Sequence, residues 1–591
     1  MNSFPLVRQR WSNEHIMAAL FIVLLLYMLP GWTADPSGIA GFLPVLVLGL
    51  AIDAVAGIIR YKRPVCSVSA GVTACILQLL TPGVPLWGRL IGITAALLAG
   101  KHIWGGTGKN PLNPALTGVL LLALFFRIEP VFAIPTLFYI PAMLLSLSFL
   151  FFRPSAGLGL TVGMALALLA GGEERIWAVA VTCVFYGCII ATDPVTVTHR
   201  PVAGLIGGLA AGMAPLLITH SVSFLAAGIL IFNLASYLLD QRARVPRERR
   251  SGNFLGIGSI VPASGVDGQL LDLAGGREGE AGNTVMPDPG EIFERIEKHG
   301  VYGMGGAGFP ASVKLGTLME SGAAGKYLVI NAVECDPGLV HDKWILKNHE
   351  ERLEKGIYAL CSYAGFKKAY VAVKDPSGLS FGNGISVVRM PDLYPVGAEK
   401  ILIEKVLGIK LPEKSIPARE GILVLNVQTV LAIYDAVYLD KDADTRYITV
   451  SDLRKGRSRV ARVRLGSGIH ETLEKAFGGS NLVFAGGGAM QAHMASDGDA
   501  VDRTVNYIAS ASLPHFKESP QCSRCGFCRS ACPVGLESGR IADLVDAGKV
   551  SEAAVLAADR CLGCGSCSYV CLAGRNLAAR VTEAKRYSEV G

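Results

Sequence analysis

The sequence predicts a multidomain chain: a polytopic α-helical membrane region followed by soluble domains, the last a small helical module rich in cysteine. Three observations carry this. Of the 591 residues, 51% are hydrophobic and the mean hydropathy is +0.42, high for a soluble protein. The excess is uneven: residues 15–240 are almost continuously apolar, in stretches long enough to cross a bilayer, and the rest reads as ordinary globular sequence. Eight of the fourteen cysteines stand in two matching runs near the C-terminus, CSRCGFCRSACP and CLGCGSCSYVC.

Run length gives about ten spans, near 15–31, 38–59, 66–81, 86–100, 114–126, 134–152, 156–171, 176–192, 202–219 and 222–240. The first apolar stretch lacks a small-residue cleavage site and further spans follow it, so a cleavable signal peptide is not expected. With the N-terminus in the cytoplasm, the cytoplasmic segments hold Arg8, Arg10, Arg60, Lys62, Arg63, Lys101, Lys109, Arg153, Arg200, Arg242, Arg244, Arg247, Arg249 and Arg250. The outer loops hold only Arg89, Arg127 and Arg175. Such an asymmetry is a positive-inside signal. It predicts an integral protein of the bacterial cytoplasmic (inner) membrane with its soluble half in the cytoplasm. Much of the net charge of +7 sits in these loops, so it reads as topology and not as nucleic-acid binding. Asp53 lies inside a span, where a carboxylate is either a functional candidate or a packing-satisfied group. Two loops are rich in helix-ending residues: KHIWGGTGKNPLNP, from Lys101 to Pro114, and Thr192-Asp193-Pro194-Val195-Thr196.

Residues 246–289, rich in Gly, Ser, Pro and Asp, read as a linker with little core of its own. Next comes VYGMGGAGFPASVKL, in which Gly303, Gly305 and Gly308 fit G-x-G-x-x-G with Gly306 beside them. Pro310 and Lys314 follow, then the buried-strand pattern KYLVINAVECDPG. Glycines let backbone approach a phosphate or a ring, and a following helix N-terminus favours negative charge. A plain glycine turn is the alternative reading.

In the cysteine runs, Cys522, Cys525 and Cys528 are followed by Cys532, and Cys561, Cys564 and Cys567 by Cys571. This is the spacing of a two-cluster bacterial ferredoxin, in which the fourth cysteine of each run ligates the other cluster. Gly526, Gly563 and Gly565 keep backbone N–H groups close to the sulfurs. Structural zinc is the alternative, which two consecutive copies of the run argue against. Two [4Fe–4S] clusters are therefore expected, carrying electrons one at a time. Cysteines clustered as metal ligands fit a reducing compartment.

Taken with these motifs, the chain resembles a fusion of two subunits of the Rnf electron-transport complex. The Asn-Pro loop and the ATDPV segment resemble its integral-membrane D subunit and the related B subunit of the sodium-pumping NADH:quinone oxidoreductase. Those families attach FMN covalently to the threonine of a Ser-Gly-Ala-Thr motif, which is absent here; this argues against covalent flavin in the membrane half. The glycine loop and its neighbours resemble the Rnf C subunit and the NADH-oxidising flavoprotein subunit of respiratory complex I. The resemblance implies non-covalent FMN on the loop, with NADH stacked upon it. It implies Lys314 near the flavin phosphate, Asn331 on the next strand, and Glu334, Asp336 and Asp342 as acidic residues of the nucleotide site. Where complex I has an additional Asp, this chain has Val333. YPVGAEKILIEKVLG at 394–408 and GILVLNVQTVLAIYDAV at 421–437 also resemble the Rnf C pattern, and residues 438–490, ending in Gly486-Gly487-Gly488, resemble the β-grasp (SLBB) domain of that family. The lipoyl-like β domain usual in the family is not expected here, because the linker is too short to hold it.

The expected division is 1–245 for the membrane domain, 246–289 for the linker and 290–437 for an α/β FMN/NADH-binding domain. Residues 438–500 are expected to form an SLBB-like β-grasp domain and 501–591 an α-helical two-cluster domain. The expected function is electron transfer between NADH and ferredoxin or another redox protein, through FMN and two [4Fe–4S] clusters. Beyond the cofactors no catalytic residue is expected. Ion translocation would need other Rnf-type membrane subunits. Two alternatives stand beside it: a non-pumping module feeding a separate reductase, and a transporter or anchor with a redox-sensing soluble half.

Overall fold

The computed structural model describes residues 12–590 apart from 62–66, 107, 109, 127, 129–138, 152, 171–175, 194, 199, 220–221, 242–254, 257–264, 276–284, 413–414, 480–481, 512–517 and 520–521. Arg8, Arg10, Lys62, Arg63, Lys109, Arg127, Arg175, Arg242, Arg244, Arg247, Arg249 and Arg250 lie outside the described residues, as do Pro194 and much of the expected linker.

The apolar region forms helices α1 (Asn13–Ala34), α2 (Ser37–Tyr61), α3 (Val68–Leu80), α4 (Leu86–Leu97), α5 (Pro114–Ala123), α6 (Tyr139–Ser146), α7 (Pro154–Ala170), α8 (Ile176–Phe185), α9 (Pro201–Thr219) and α10 (Val222–Gln241). Among the described residues, α1 and Ser37–Arg60 within α2 are long and apolar enough to cross a membrane by themselves, and the other apolar stretches are shorter. Most of the large apolar side chains left exposed lie here, among them Val47, Ile59, Phe125, Val202 and Ile231. An apolar belt of that extent fits lipid and not water.

The loop motifs act as helix punctuation. Asn113 caps α5, its Oδ1 accepting from Leu116 N at 3.2 Å, and Pro114 occupies the first helical position. Asn233 of α10 accepts from Asn113 N at 3.2 Å, which ties the motif to a distant helix. The same sequence of parts occurs twice. α4 runs into a π-turn, Leu98–His102, before the first loop, and α8 runs into another, Tyr186–Ile190, before the second. Glycines set the closest helix contact: a Cβ at Gly159 or Gly163 of α7, or at Gly208 or Gly212 of α9, would strike the facing backbone. Asp53 is packing-satisfied. It is 4% exposed, 2.7 Å from Lys101 Nζ and 3.0 Å from His102 Nε2, and it also accepts from Ser67 N and Ser67 Oγ.

The soluble part contains strands β1 (Leu255–Gly256), β2 (Gly265–Asp272), β3 (Tyr327–Ala332), β4 (Lys368–Val373), β5 (Ile385–Arg389), β6 (Leu393–Tyr394), β7 (Ile422–Asn426), β8 (Thr445–Asp452), β9 (Arg457–Arg464), β10 (Val483–Gly486), β11 (His493–Met494) and β12 (Tyr507–Ser510). A parallel sheet runs β5-β4-β3-β7. Helices α11 (Pro289–Lys298), α12 (Ala311–Glu320), α13 (His341–Asn348), α14 (Glu350–Ala364), α15 (Glu399–Leu407) and α16 (Val427–Leu439) accompany it. Leu328, Ile330, Leu423 and Leu425 pack on one face with Ile292, Leu315, Ile357 and Val430, and Val329, Ala372 and Val424 on the other with Ile401 and Leu402. Burial on both faces explains the continuous apolar runs in these strands.

A six-stranded sheet runs β11-β10-β12-β8-β9-β2. Helix α17 (Ile469–Phe477) packs on it through Ile469 and Leu473 against Ile448, Val450, Val463 and Ile508. Two limits differ from the expected division. β2 pairs in parallel with β9 although it lies in the stretch expected to be a linker, and Arg462 forks onto Asp272 at 2.9 and 3.0 Å. β12 pairs with β8 and β10, so the sheet extends past residue 500. Both strands are short or glycine-rich, and their partners are remote in sequence.

The C-terminal module comprises α18 (Phe527–Ser530), α19 (Ser538–Asp546), α20 (Val550–Ala554), α21 (Ser566–Tyr569) and α22 (Leu577–Val590). It touches both other parts. Tyr394 Oη donates to Cys564 O at 2.6 Å, whereas Arg153 of the apolar region donates to the carbonyls of Arg524 and Cys525, both at 3.0 Å. Asn13 N, at the start of α1, donates to Leu572 O at 2.9 Å.

Candidate functional site

In the parallel sheet the chain adds β4 and then β5 on one side of β3, and returns to place β7 on the other. The order therefore reverses between β3 and β7, and their carboxyl ends flank the crevice where such sheets take ligands. Asn331 and Asn426 are register partners at that edge.

The glycine loop covers the crevice. Gly303 N donates to Phe309 O at 2.6 Å and Gly308 N to Gly303 O at 3.1 Å. Gly306 has φ +101° and Gly308 φ +62°, backbone that a side chain would strain. Met304 N is held by Thr429 Oγ1 at 2.8 Å, and a Cβ on Gly305 would meet Asn426 at 3.3 Å. Asn426 and Thr429 thus join the site; the N-V-x-T segment at 426–429 is the sequence signal for them. Asn506 and Arg503, from the six-stranded sheet's last segment, face Gly306 and Gly308. No local sequence signal places these two there.

The remaining candidates divide into two neighbourhoods. Asn426 Nδ2 donates to Asp342 Oδ2 at 2.9 Å, and Glu334 accepts from Asp342 N at 2.8 Å and Lys343 N at 3.4 Å. Glu334 has φ +45°, a strained left-handed backbone of the kind found at functional sites. Burial pushes both carboxyl groups up from their ordinary range, and the negative charge of Asp342 adds to the rise at Glu334. Lys314 Nζ lies 3.3 Å from Glu399 and 3.4 Å from Val424 O, at the crevice rim. Asn331 donates to Gly397 O at 2.9 Å. Asp336 is elsewhere: it accepts from Met490 N at 3.3 Å and abuts the Gly488 backbone, where burial pushes it up to about 7. It lies toward the C-terminal module and not with Glu334 and Asp342.

Tyr302 Oη, Asp342 Oδ1 and Gln428 Nε2 are buried without a hydrogen-bond partner among the described residues. Buried polar atoms seldom remain so, and a polar ligand would satisfy them. With the glycine loop and Lys314 beside the crevice, this fits a phosphate-bearing cofactor such as FMN.

The eight cysteines fall into two sets that cross the runs. Burial pushes Cys528 up, and Cys525, Cys522 and Cys571 surround it, with Cys567 beyond. Burial likewise pushes Cys567 up, with Cys564, Cys561 and Cys532 around it. Arg524 N, Leu536 N and Gly563 N donate to the sulfurs of Cys522, Cys532 and Cys561 at 3.3–3.4 Å. Gly526, Gly563 and Gly565 have φ of +81°, +69° and +74°, which turns the backbone around the thiols. Among the described residues no three His, Cys, Asp or Glu side chains are close enough to share one metal ion.

Comparison with known proteins agrees with these parts. Residues 1–131 match the family model "NQR2, RnfD, RnfE family", 296–435 the "Nuo51 FMN-binding domain" and 518–575 the "4Fe-4S dicluster domain". The C subunit of the ion-translocating oxidoreductase complex of Rhodobacter capsulatus is 29% identical over 328 residues, covering 51% of this chain and 63% of the relative. That of Haemophilus influenzae (strain PittEE) is 30% identical over 269 residues, covering 43% and 41%. The C subunit of the proton-translocating ferredoxin:NAD(+) oxidoreductase complex of Clostridium ljungdahlii is 28% identical over 268 residues, covering 43% and 58%. An NAD+-reducing [NiFe]-hydrogenase structure overlaps 62% of this chain and 76% of its own, at TM-score 0.40 and 14% identity. The chain spans less than two thirds of the length of these curated relatives. In one polypeptide it is similar to the RnfD-type membrane family at its start, and to the C subunit of ion-translocating oxidoreductase complexes over about half its length.

Proposed function

We propose that this chain is a membrane-bound electron-transfer oxidoreductase of the Rnf type, linking NADH to ferredoxin or another redox protein and working with other Rnf-type membrane subunits. One observation carries the reading. The switch-point crevice and one cysteine set are joined through a single segment: Gly397 contacts both Asn331 and Cys335, and the neighbouring Tyr394 bonds Cys564 O. FMN and two [4Fe–4S] clusters, when bound, convert a two-electron hydride donor into one-electron carriers.

In this reading the Gly303–Gly308 loop and Lys314 hold the flavin phosphate, and Asn331 and Asn426 fix the crevice edge. Glu334 and Asp342 accept hydroxyls of the nucleotide ribose. Cys532, Cys561, Cys564 and Cys567 hold the cluster nearer the crevice, and Cys522, Cys525, Cys528 and Cys571 the one nearer the membrane region. The apolar helices supply about ten membrane segments, with the soluble half in the cytoplasm. The β-grasp-like domain takes in β2 and β12, and the two-cluster domain begins after Ser510.

The test is anaerobic purification with FMN, addition of NADH, and absorbance of flavin and clusters. Fast bleaching of both is expected. Bleaching with dithionite but not NADH would overturn the nucleotide site. The missing Ser-Gly-Ala-Thr motif favours a second reading, a non-pumping module that feeds a separate reductase. Covalent flavin fluorescence from the denatured protein would remove the support for that second reading.

A further inference from the structure

The cysteine set nearer the membrane region is held in part by that region. Arg153 immediately precedes α7 and is 7% exposed. Its Nη1 donates to Cys525 O at 3.0 Å, its Nη2 to Arg524 O at 3.0 Å and its Nε to Val197 O at 3.2 Å. One guanidinium therefore grips two successive carbonyls of the ligand loop and the segment that follows Thr192–Thr196. Arg524, between two of the ligands, has φ +49°. A non-glycine residue in that region is held there by its surroundings. Its side chain lies over Tyr237 of α10, 5.6 Å from the ring centroid. A cavity of about 200 Å³ joins Cys522, Cys525, Cys528 and Cys571 to Val197, Ser236 and Tyr237.

The charge matters as well as the grip. Reduction adds one electron to a cluster and breaks no bond, so a fixed cation beside it favours the reduced form. Arg575 also borders this set, but Asp543 at 2.7 Å and Asp546 at 2.9 Å offset it. Arg153 places donors on the ligand loop itself, and its charge acts on Cys525 as well as on Asp193.

We propose that Arg153 is a positioning residue for the iron–sulfur group on Cys522, Cys525, Cys528 and Cys571. It fixes their loop against the membrane region and raises the reduction potential of that group. The inference rests on the two-cluster reading above.

The full chain, purified anaerobically with its clusters, is titrated spectroelectrochemically with dithionite and mediators, without NADH. Arg153→Gln is expected to lower the reduced-to-oxidised ratio of one cluster about tenfold at a fixed potential, equal to about 59 mV for one electron. The other cluster stays within about twofold, and Arg153→Lys, which keeps the charge but not the fork, recovers part of the loss. If neither wave moves, if both move equally, or if Lys is as defective as Gln, the proposal is overturned. If Arg153→Gln loses one cluster and half the iron, Arg153→Lys decides: it must carry both clusters, with only the wave of the set on Cys522, Cys525, Cys528 and Cys571 displaced. A wild-type chain that titrates normally but ignores NADH would sink the nucleotide site and leave this inference standing.

Discussion

Removing Lys101 while leaving Asp53 is a perturbation with a large expected cost in the membrane region. The pair stands at 2.7 Å with side chains 2% and 4% exposed, so water cannot replace the lost partner. Breaking a buried pair from one side costs about 3–5 kcal/mol, because a charge is left uncompensated. Here Ser67 N and Ser67 Oγ remain as donors, and His102 Nε2 stays beside the carboxylate at 3.0 Å as a stand-in. Lys101→Met should therefore fall near the lower end, about 3 kcal/mol. Lys101→Met with Asp53→Asn should recover at least half of that, since no net charge is buried. Unfolding of the detergent-solubilised chain, followed by tryptophan fluorescence for wild type, both single variants and the double, gives the coupling energy. A double variant no more stable than Lys101→Met would refute the reasoning, and so would a single variant as stable as wild type. A Lys101→Met cost that vanishes on adding His102→Ala would rule the histidine out as the stand-in; a cost that deepens would identify it.

Four further outcomes are expected. Glu334 and Asp342 are pushed up by burial, so the folded chain binds more protons than the unfolded one and stability falls as pH rises from the unfolded carboxylate range toward neutrality; Glu334→Gln should flatten that fall in a urea titration series without ligand. Cys571→Ser should strip the same cluster as Cys525→Ser, leaving the signal that depends on Cys561, because the sets cross between the runs; loss of the Cys561-dependent signal instead would reverse the assignment. Gly208→Leu should destabilise the membrane region by several kcal/mol, since its Cβ would enter the α7 backbone at Ala156 and Leu160; a surface glycine with open space, Gly290→Ala in α11, should raise stability by roughly 0.5–1 kcal/mol through helix propensity, read from the same unfolding curves.

Much of the architecture is legible because it is written locally. Apolar runs, the glycine loop and cysteine spacing each repeat a requirement of backbone chemistry within a few residues. The apolar helices are legible in place but not in length, since π-turns and capped loops cut several of them short. The stretch around β2 reads as tether because GVDGQLLD has a weak strand pattern and its partner, β9, lies far along the chain. Asn426 and Thr429 are visible as a motif but gain a role only when β7 comes beside β3.

The sequence by itself determined the kinds of chemistry available: thiols spaced for two clusters, glycines for a tight loop, and apolar length for lipid. These depend on covalent spacing and hydropathy, which any fold must respect. Only the tertiary structure decided who meets whom. It separated Asp336 from Glu334 and Asp342, turned one cysteine set toward Tyr394 and the crevice, and set Arg153 against the other. The bonds of Asp336, Tyr394 and Arg153 join segments 154 to 372 residues apart, and they arise from packing, which no local pattern encodes.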